Sequence, residues 1–399
     1  MDTRSIRCTL ILAALFLLGM QAVVAAQASP PWAWGPILGA VGENAISIVW
    51  KTSRPVGFDL HYGLAQVYDA TGTWEETLVF DQHDGVAEIW LQDLIPGATY
   101  RYQLVCYEGD AVYPTEIGTF STLAADVRSV TFVTYGATRS FPDRHKLVAD
   151  AIGKEGAIDF VFHAGELVES GTEERYDNLF WAIGDLARYH PYLPILGSHD
   201  SEGGLYYDYF SLPPGGGGEN NEQWWSYDIG SMHIVGVDTT VSGAGDEATM
   251  RAQTAWLTQD LARAEGKIIL VLAHHPLYSA SYPGGKNDSL CASWETLFVE
   301  AGVDAVFSSA IHCFEHIYRY GIHHIITGGG GAPLAEAPDS TVTGTVLRRY
   351  GMLHYVRGTL ADERLLIEVI PVASIDENDA ITLASASRSI DSFVIEHLP

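Results

Sequence analysis

The sequence is poor in basic residues. It carries 22 lysines and arginines against 50 aspartates and glutamates in 399 residues, a formal charge of −28. The acids are spread along the chain without a long run. Such a surface repels phosphate backbones and anionic lipid, so nucleic acid and, once a leader is removed, membranes are excluded as expected partners. It also repels an anionic substrate unless a local cation reverses the field.

Cysteine is scarce as well. Of the four, Cys8 lies in the leader, and Cys106, Cys291 and Cys313 remain. Their spacing excludes a zinc knuckle, and an odd number leaves at least one thiol unpaired. They read as small buried residues with one optional disulfide at most. Long apolar runs are absent beyond the N-terminus, where two arginines precede the run Thr9 to Val24 and Ala-Gln-Ala follows at 26 to 28. This is the pattern of a cleavable signal peptide over residues 1–28, which implies a secreted or periplasmic protein. The remaining length suits two domains, and 47% hydrophobic with 18% charged residues suits a folded chain.

Two patterns divide the mature chain. Residues 29–124 read as all-β: AISIVWKT, GFDLHYG, AEIWLQDL and TYRYQLVCYEG partly alternate and are parted by Gly, Pro and Asp turns. Their spacing fits a small β-sandwich. Residues 129–399 change character. SVTFVTYG, IDFVFHAG, YLPILGSHD, MHIVGVDT, KIILVLAHH and VDAVFSS are continuous apolar runs, the signature of strands buried on both faces. Between several of them lie helical patterns such as ERYDNLFWAIGDLARYH and RAQTAWLTQDLARAEG. Strands alternating with helices imply an α/β fold.

In such sheets, chemistry collects at the carboxyl ends of strands. Those ends carry Arg139, Glu166, His199 with Asp200, His274 with His275, and His312. A single histidine there is ordinarily structural. Five strand ends bearing imidazole, guanidinium or carboxylate point instead to a transition-metal site and a metal-assisted hydrolase, or its descendant.

These residues resemble the calcineurin-like metallophosphoesterases, in particular the purple-acid-phosphatase branch. The resemblance runs over nearly the whole mature chain. LIPGATYRYQL resembles part of that branch's fibronectin-III-like N-terminal domain; Trp225-Ser226-Tyr227-Asp228, Val237-Asp238-Thr239 and the segment 327–333 resemble its mid-domain and later blocks. It implies a four-layer α/β/β/α sandwich preceded by a fibronectin-III-like sandwich, and two metals held by Asp, Asn and His from five strand ends. Here that ligand set is eroded. The first carboxylate position is Ala137, the bridging aspartate is Glu166, the asparagine is Ser198, and the first histidine of the last motif is Ala310. Glu169 stands where plant-type relatives place an iron-binding tyrosine. Glu166, His274 and His312 are the metal-ligand positions that persist, with Glu169, Asp200 or His199 as candidates to complete them. His199 matches the acid and Arg139 is placed to grip a phosphate oxygen. For Arg139 a surface ion pair is the competing role.

Three readings stay open. One is an intact two-metal phosphatase. The second is a hydrolase of phosphate mono- or diesters using one divalent ion, zinc, manganese or iron, on Glu166, His274 and His312. The third, favoured, is a pseudoenzyme that keeps the fold to bind an unidentified protein or small molecule. Ala137 and Ala310 leave neither a clash nor an unpaired buried charge, so the fold can outlive its metals. His323, His324 and His354 fall in strand-like segments with core or edge roles expected. Trp32, Trp34, Trp50, Trp74 and Trp90 are assigned mainly to the core of the N-terminal sandwich.

Overall fold

A computed structural model describes residues 29–200, 204–361, 363–384 and 388–396. The expected signal peptide lies outside them. From Pro31 onward the chain packs as one compact unit.

Eight strands come first: β1 (Trp32–Val41), β2 (Ile46–Thr52), β3 (Val56–Leu64), β4 (Glu76–His83), β5 (Val86–Leu91), β6 (Thr99–Glu108), β7 (Ala111–Pro114) and β8 (Gly118–Ser121). They form two antiparallel sheets, β1-β2-β5 and β4-β3-β6-β7, with β8 paired to β6. Trp50 meets Phe58 edge-on at 4.7 Å between the sheets, and both are buried. Trp34 points away from that core and stacks on Phe180 of the helix Glu173–Ala187 at 3.9 Å. Tyr102 Oη donates to the Arg188 carbonyl at 2.8 Å and Ala40 N–H to that of Ser211 at 2.9 Å, so the sandwich is bonded to the rest of the chain. The coil 122–128 links β8 to β9.

The next strands are β9 (Ser129–Tyr135), β10 (Phe160–His163), β11 (Tyr192–Pro194), β12 (Trp225–Ile229), β13 (Met232–Val237), β14 (Ile268–Ala273), β15 (Ala305–Ser308), β16 (Phe314–Arg319), β17 (Ile322–Thr327), β18 (Thr345–Arg349), β19 (Met352–Ala361), β20 (Arg364–Ile375), β21 (Ile381–Leu383) and β22 (Asp391–Glu396). One seven-stranded sheet runs β11-β10-β9-β19-β20-β21, with β22 on β20. The other runs β12-β13-β14-β15-β17-β16-β18. Pairing is parallel through β9-β10-β11 and through β13-β14-β15-β17.

Strand β14 shows how a continuous apolar run builds two cores. Ile268, Leu270 and Leu272 face the other sheet, while Ile269, Val271 and Ala273 pack with Leu257 and Leu261 of the helix Glu247–Arg263 and with Trp294 and Phe298. Alternation across the strand sends neighbours to opposite faces even when both are dry. Phe132 of β9 meets Phe307 of β15 at 6.4 Å between the sheets. The helix Pro142–Ile152 covers the outer face of the first sheet with Val148, Ala149 and Ile152. The result is the expected four-layer α/β/β/α arrangement after a β-sandwich, with the parallel strands of both sheets ending near one another.

Candidate active site

The loops after β9, β10, β14 and β15 and the turn after β11 converge on Glu166. They are tied together by backbone: Ala137 N–H donates to Gly165 O at 3.0 Å and Thr138 N–H to Glu166 O at 2.9 Å. The buried Asp200 carboxylate clamps them by accepting from the N–H groups of Glu166 (2.8 Å), Gly197 (2.8 Å) and Val168 (3.0 Å). Gly197 passes so close that a Cβ there would stand 1.9 Å from Glu166 N. Ala137 (φ 56°), Ser140 (φ 75°) and Glu166 (φ 62°) all hold left-handed conformations. Each costs a side-chain-bearing residue about 1 kcal/mol or more.

Glu166 is 5% exposed. Its Oε2 lies 2.6 Å from His312 Nε2 and its Oε1 3.4 Å from Arg139 Nε. His199 Nε2 stands 3.7 Å and His274 Nε2 4.0 Å from that Oε1. Burial pushes the carboxyl up, but the His312 hydrogen bond, followed by the neighbouring His274 and His312 rings and then Arg139, holds it down to about 2. Arg139 reaches on to Glu169, with Nη1 2.9 Å from both oxygens, and Ser140 Oγ also donates to Glu169. Its partners are therefore two carboxylates rather than open solvent.

Hydrogen bonds fix two imidazoles. His312 Nδ1 faces only the Pro333 carbonyl, at 2.6 Å, so Nδ1–H is the donor. Its Nε2 faces the Glu166 carboxylate, which only accepts. Ser309 Oγ donates to the Ala164 carbonyl at 2.6 Å, so at 3.2 Å it accepts from His274 Nδ1–H. Burial, then the neighbouring His275, pulls His274 down to about 3, so the ring is neutral near pH 7. Its Nε2 is a bare lone pair, buried and without a hydrogen-bond partner. His275 turns aside, with Nδ1 2.9 Å from Thr239 Oγ1 and Nε2 3.3 Å from Ser198 Oγ.

The expected site residues Arg139, Glu166, His199, His274 and His312 thus come together. Asp200 does not join them as a ligand: its carboxylate is spent on three amides behind the loop. Glu169 is spent on Arg139 and Ser140. Sequence reasoning overlooked Ser309, which sets the tautomer of His274, and Thr239, which orients His275. The hydroxyl of Ser309, just after β15 and directly before Ala310, was the available signal.

The residues do not fit a pair of cations. Ala137 and Ala310 offer no donor. Two donors on a tetrahedral ion, each about 2.0–2.1 Å from it, stand about 3.3 Å apart. His312 and Glu166, at 2.6 Å, form a hydrogen bond instead. The guanidinium of Arg139 already supplies the positive charge beside Glu166. Among the described residues, no group of three or more His, Cys, Asp or Glu side chains is arranged to hold an ion. The unpartnered, buried His274 Nε2 suits a metal.

Residues 122–314 match the family model of the calcineurin-like phosphoesterases. The chain carries a calcineurin-like phosphoesterase domain. Arg139, Glu166, His199, His274 and His312 all lie within the matched residues. Human acid phosphatase type 7 (Homo sapiens) is 24% identical over 415 aligned residues, covering 86% of this chain and 89% of that protein. A phosphoenolpyruvate phosphatase of Allium cepa is 27% identical over 179 residues, 41% of this chain and 36% of the relative, so that match spans only about a third of its length. A purple acid phosphatase from yellow lupin (Lupinus luteus) seeds superposes with a TM-score of 0.69 at 19% identity, over 90% of this chain and 74% of that one. At such identity the likeness speaks for the fold.

Proposed function

We propose that this is an exported phosphoesterase-type protein whose dinuclear hydrolytic centre is lost or much reduced, its pocket kept for binding. One observation carries the reading: the bridging-position carboxylate, Glu166, is neutralised on both oxygens by the protein's own Arg139 and His312. The left-handed Ala137 supports it. Aspartate and asparagine tolerate that conformation better than alanine does. The loop therefore keeps a shape suited to a carboxylate that has gone.

The bare Nε2 of His274 supports a second reading, one divalent ion and residual hydrolysis of phosphate esters. In that case His199, with its side chain 39% exposed, is the acid, and Arg139 must leave Glu169 before it can grip phosphate. Hydrolysis of an aryl phosphate monoester and diester with added zinc, manganese or iron separates the two. Turnover lost in both His274→Ala and His199→Ala would establish the hydrolase; turnover no higher than in Glu166→Ala supports the binding role.

A further inference from the structure

Away from this site, the C-terminal strand β22 is fastened across the two sheets. It pairs with β20 of the first sheet. On one face it carries Asp391 and Phe393, two residues apart, toward β16 and β17 of the second sheet. Asp391 Oδ2 lies 2.7 Å from His316 Nδ1, and His316 Nε2 lies 2.9 Å from His323 Nδ1. Phe393 stacks on His323 at 4.0 Å and 13°, and on His316 at 4.6 Å and 29°. His316 is 3% exposed. The register sets Tyr318 opposite His323 and His316 opposite Ile325, so both imidazoles lie on one face of the hairpin. The titratable or charged neighbours are Asp391 from β22, and Tyr318, Arg319 and His324 from β16 and β17.

We propose that Asp391, His316 and His323 form an acid-sensitive latch that holds β22 on the second sheet at neutral pH and releases it in acid. Counting protons along the chain of contacts leads there. The Asp391 carboxylate only accepts, so His316 Nδ1–H must donate. Between His316 Nε2 and His323 Nδ1 there is room for one proton. A single positive charge on the pair is balanced by Asp391. A second proton places N–H against N–H at 2.9 Å, and the bond that joins the rings becomes a repulsion. Burial and the neighbouring His316 resist that proton, pulling His323 down to about 4. Release of the strand lifts the burial that opposes this proton and moves His323 back toward its ordinary value of about 6.5. The opening constant therefore rises by up to about tenfold per pH unit as pH falls from roughly 6.5 toward 4.

Hydrogen–deuterium exchange of the full chain tests this, read by mass spectrometry on peptides over 391–396 and over β14, with labelling times scaled to intrinsic exchange. The latch predicts that β22 loses protection with that slope while β14 keeps its own. His323→Asn retains a donor near the Nδ1 position but does not titrate, so it should flatten the slope. Asp391→Asn should speed exchange of β22 already at pH 7. Constant protection of β22, an unchanged slope in His323→Asn, or parallel loss in β14 would each overturn the proposal.

Discussion

Replacing Glu166 by glutamine separates an internal ion-pair cluster from an emptied metal site. In an emptied site the carboxylates repel one another, and removing one stabilises the fold. Here Glu166 is 5% exposed; burial opposes its charge, yet chiefly the His312 hydrogen bond brings its pKa from 4.5 down to about 2. At about 1.36 kcal/mol per pK unit, the charged form contributes about 3 kcal/mol. That agrees with the roughly 3–5 kcal/mol typical of breaking a buried pair. The direction of the shift sets the sign. A lowered carboxylate stabilises above its unfolded value near 4.5, and that contribution is lost as pH falls through about 2. Glu166→Gln should therefore lower unfolding free energy at pH 7 by about 3 kcal/mol, in chelator and without added metal, with a smaller difference at pH 3. Guanidinium denaturation followed by tryptophan fluorescence reads both. An equally or more stable Glu166→Gln at pH 7 would refute the ion-pair account.

The same geometry carries other expectations. Gly197→Ala places a methyl 1.9 Å from Glu166 N, so loop and clamp must shift, at a cost of about 1–3 kcal/mol or more in denaturant titration. Burial pushes the Asp200 carboxyl up to about 7, so its three amide bonds matter more than its charge; Asp200→Asn sets an NH2 against one of those N–H groups and should cost about 1–3 kcal/mol by the same method. His233 sits between Asp228 at 2.7 Å and Asp260 at 2.9 Å; burial opposes its charge, yet these partners raise its pKa. Its contribution is full below about pH 6.5 and fades as pH rises through the raised value, so the thermal-melt penalty of His233→Gln should be larger at about pH 5.5 than at about pH 9.

The apolar runs ending in Gly136, Gly165 and Gly197 made the sheets legible, because strands buried on both faces have no other composition available. Alternation did not reveal which half of β14 faces which core, since both halves are apolar. The same runs placed Glu166, His274 and His312 at strand ends, and there they meet. What each side chain does was less legible. Asp200 and Glu169 are close to the site in sequence, yet local backbone direction turns one toward amides and the other toward Arg139. The ion pair of Arg139 was foreseen as an alternative; that its partners would include Glu166 depends on the left-handed turns at Ala137 and Glu166, which alanine and glutamate do not advertise.

If Arg139 and His312 stand in for a metal pair at Glu166, as proposed, the purified chain incubated with zinc, manganese and iron and then desalted should hold fewer than one ion per chain by plasma mass spectrometry, unchanged in His312→Ala. Two ions per chain, lost together in Glu166→Ala, would contradict the proposal.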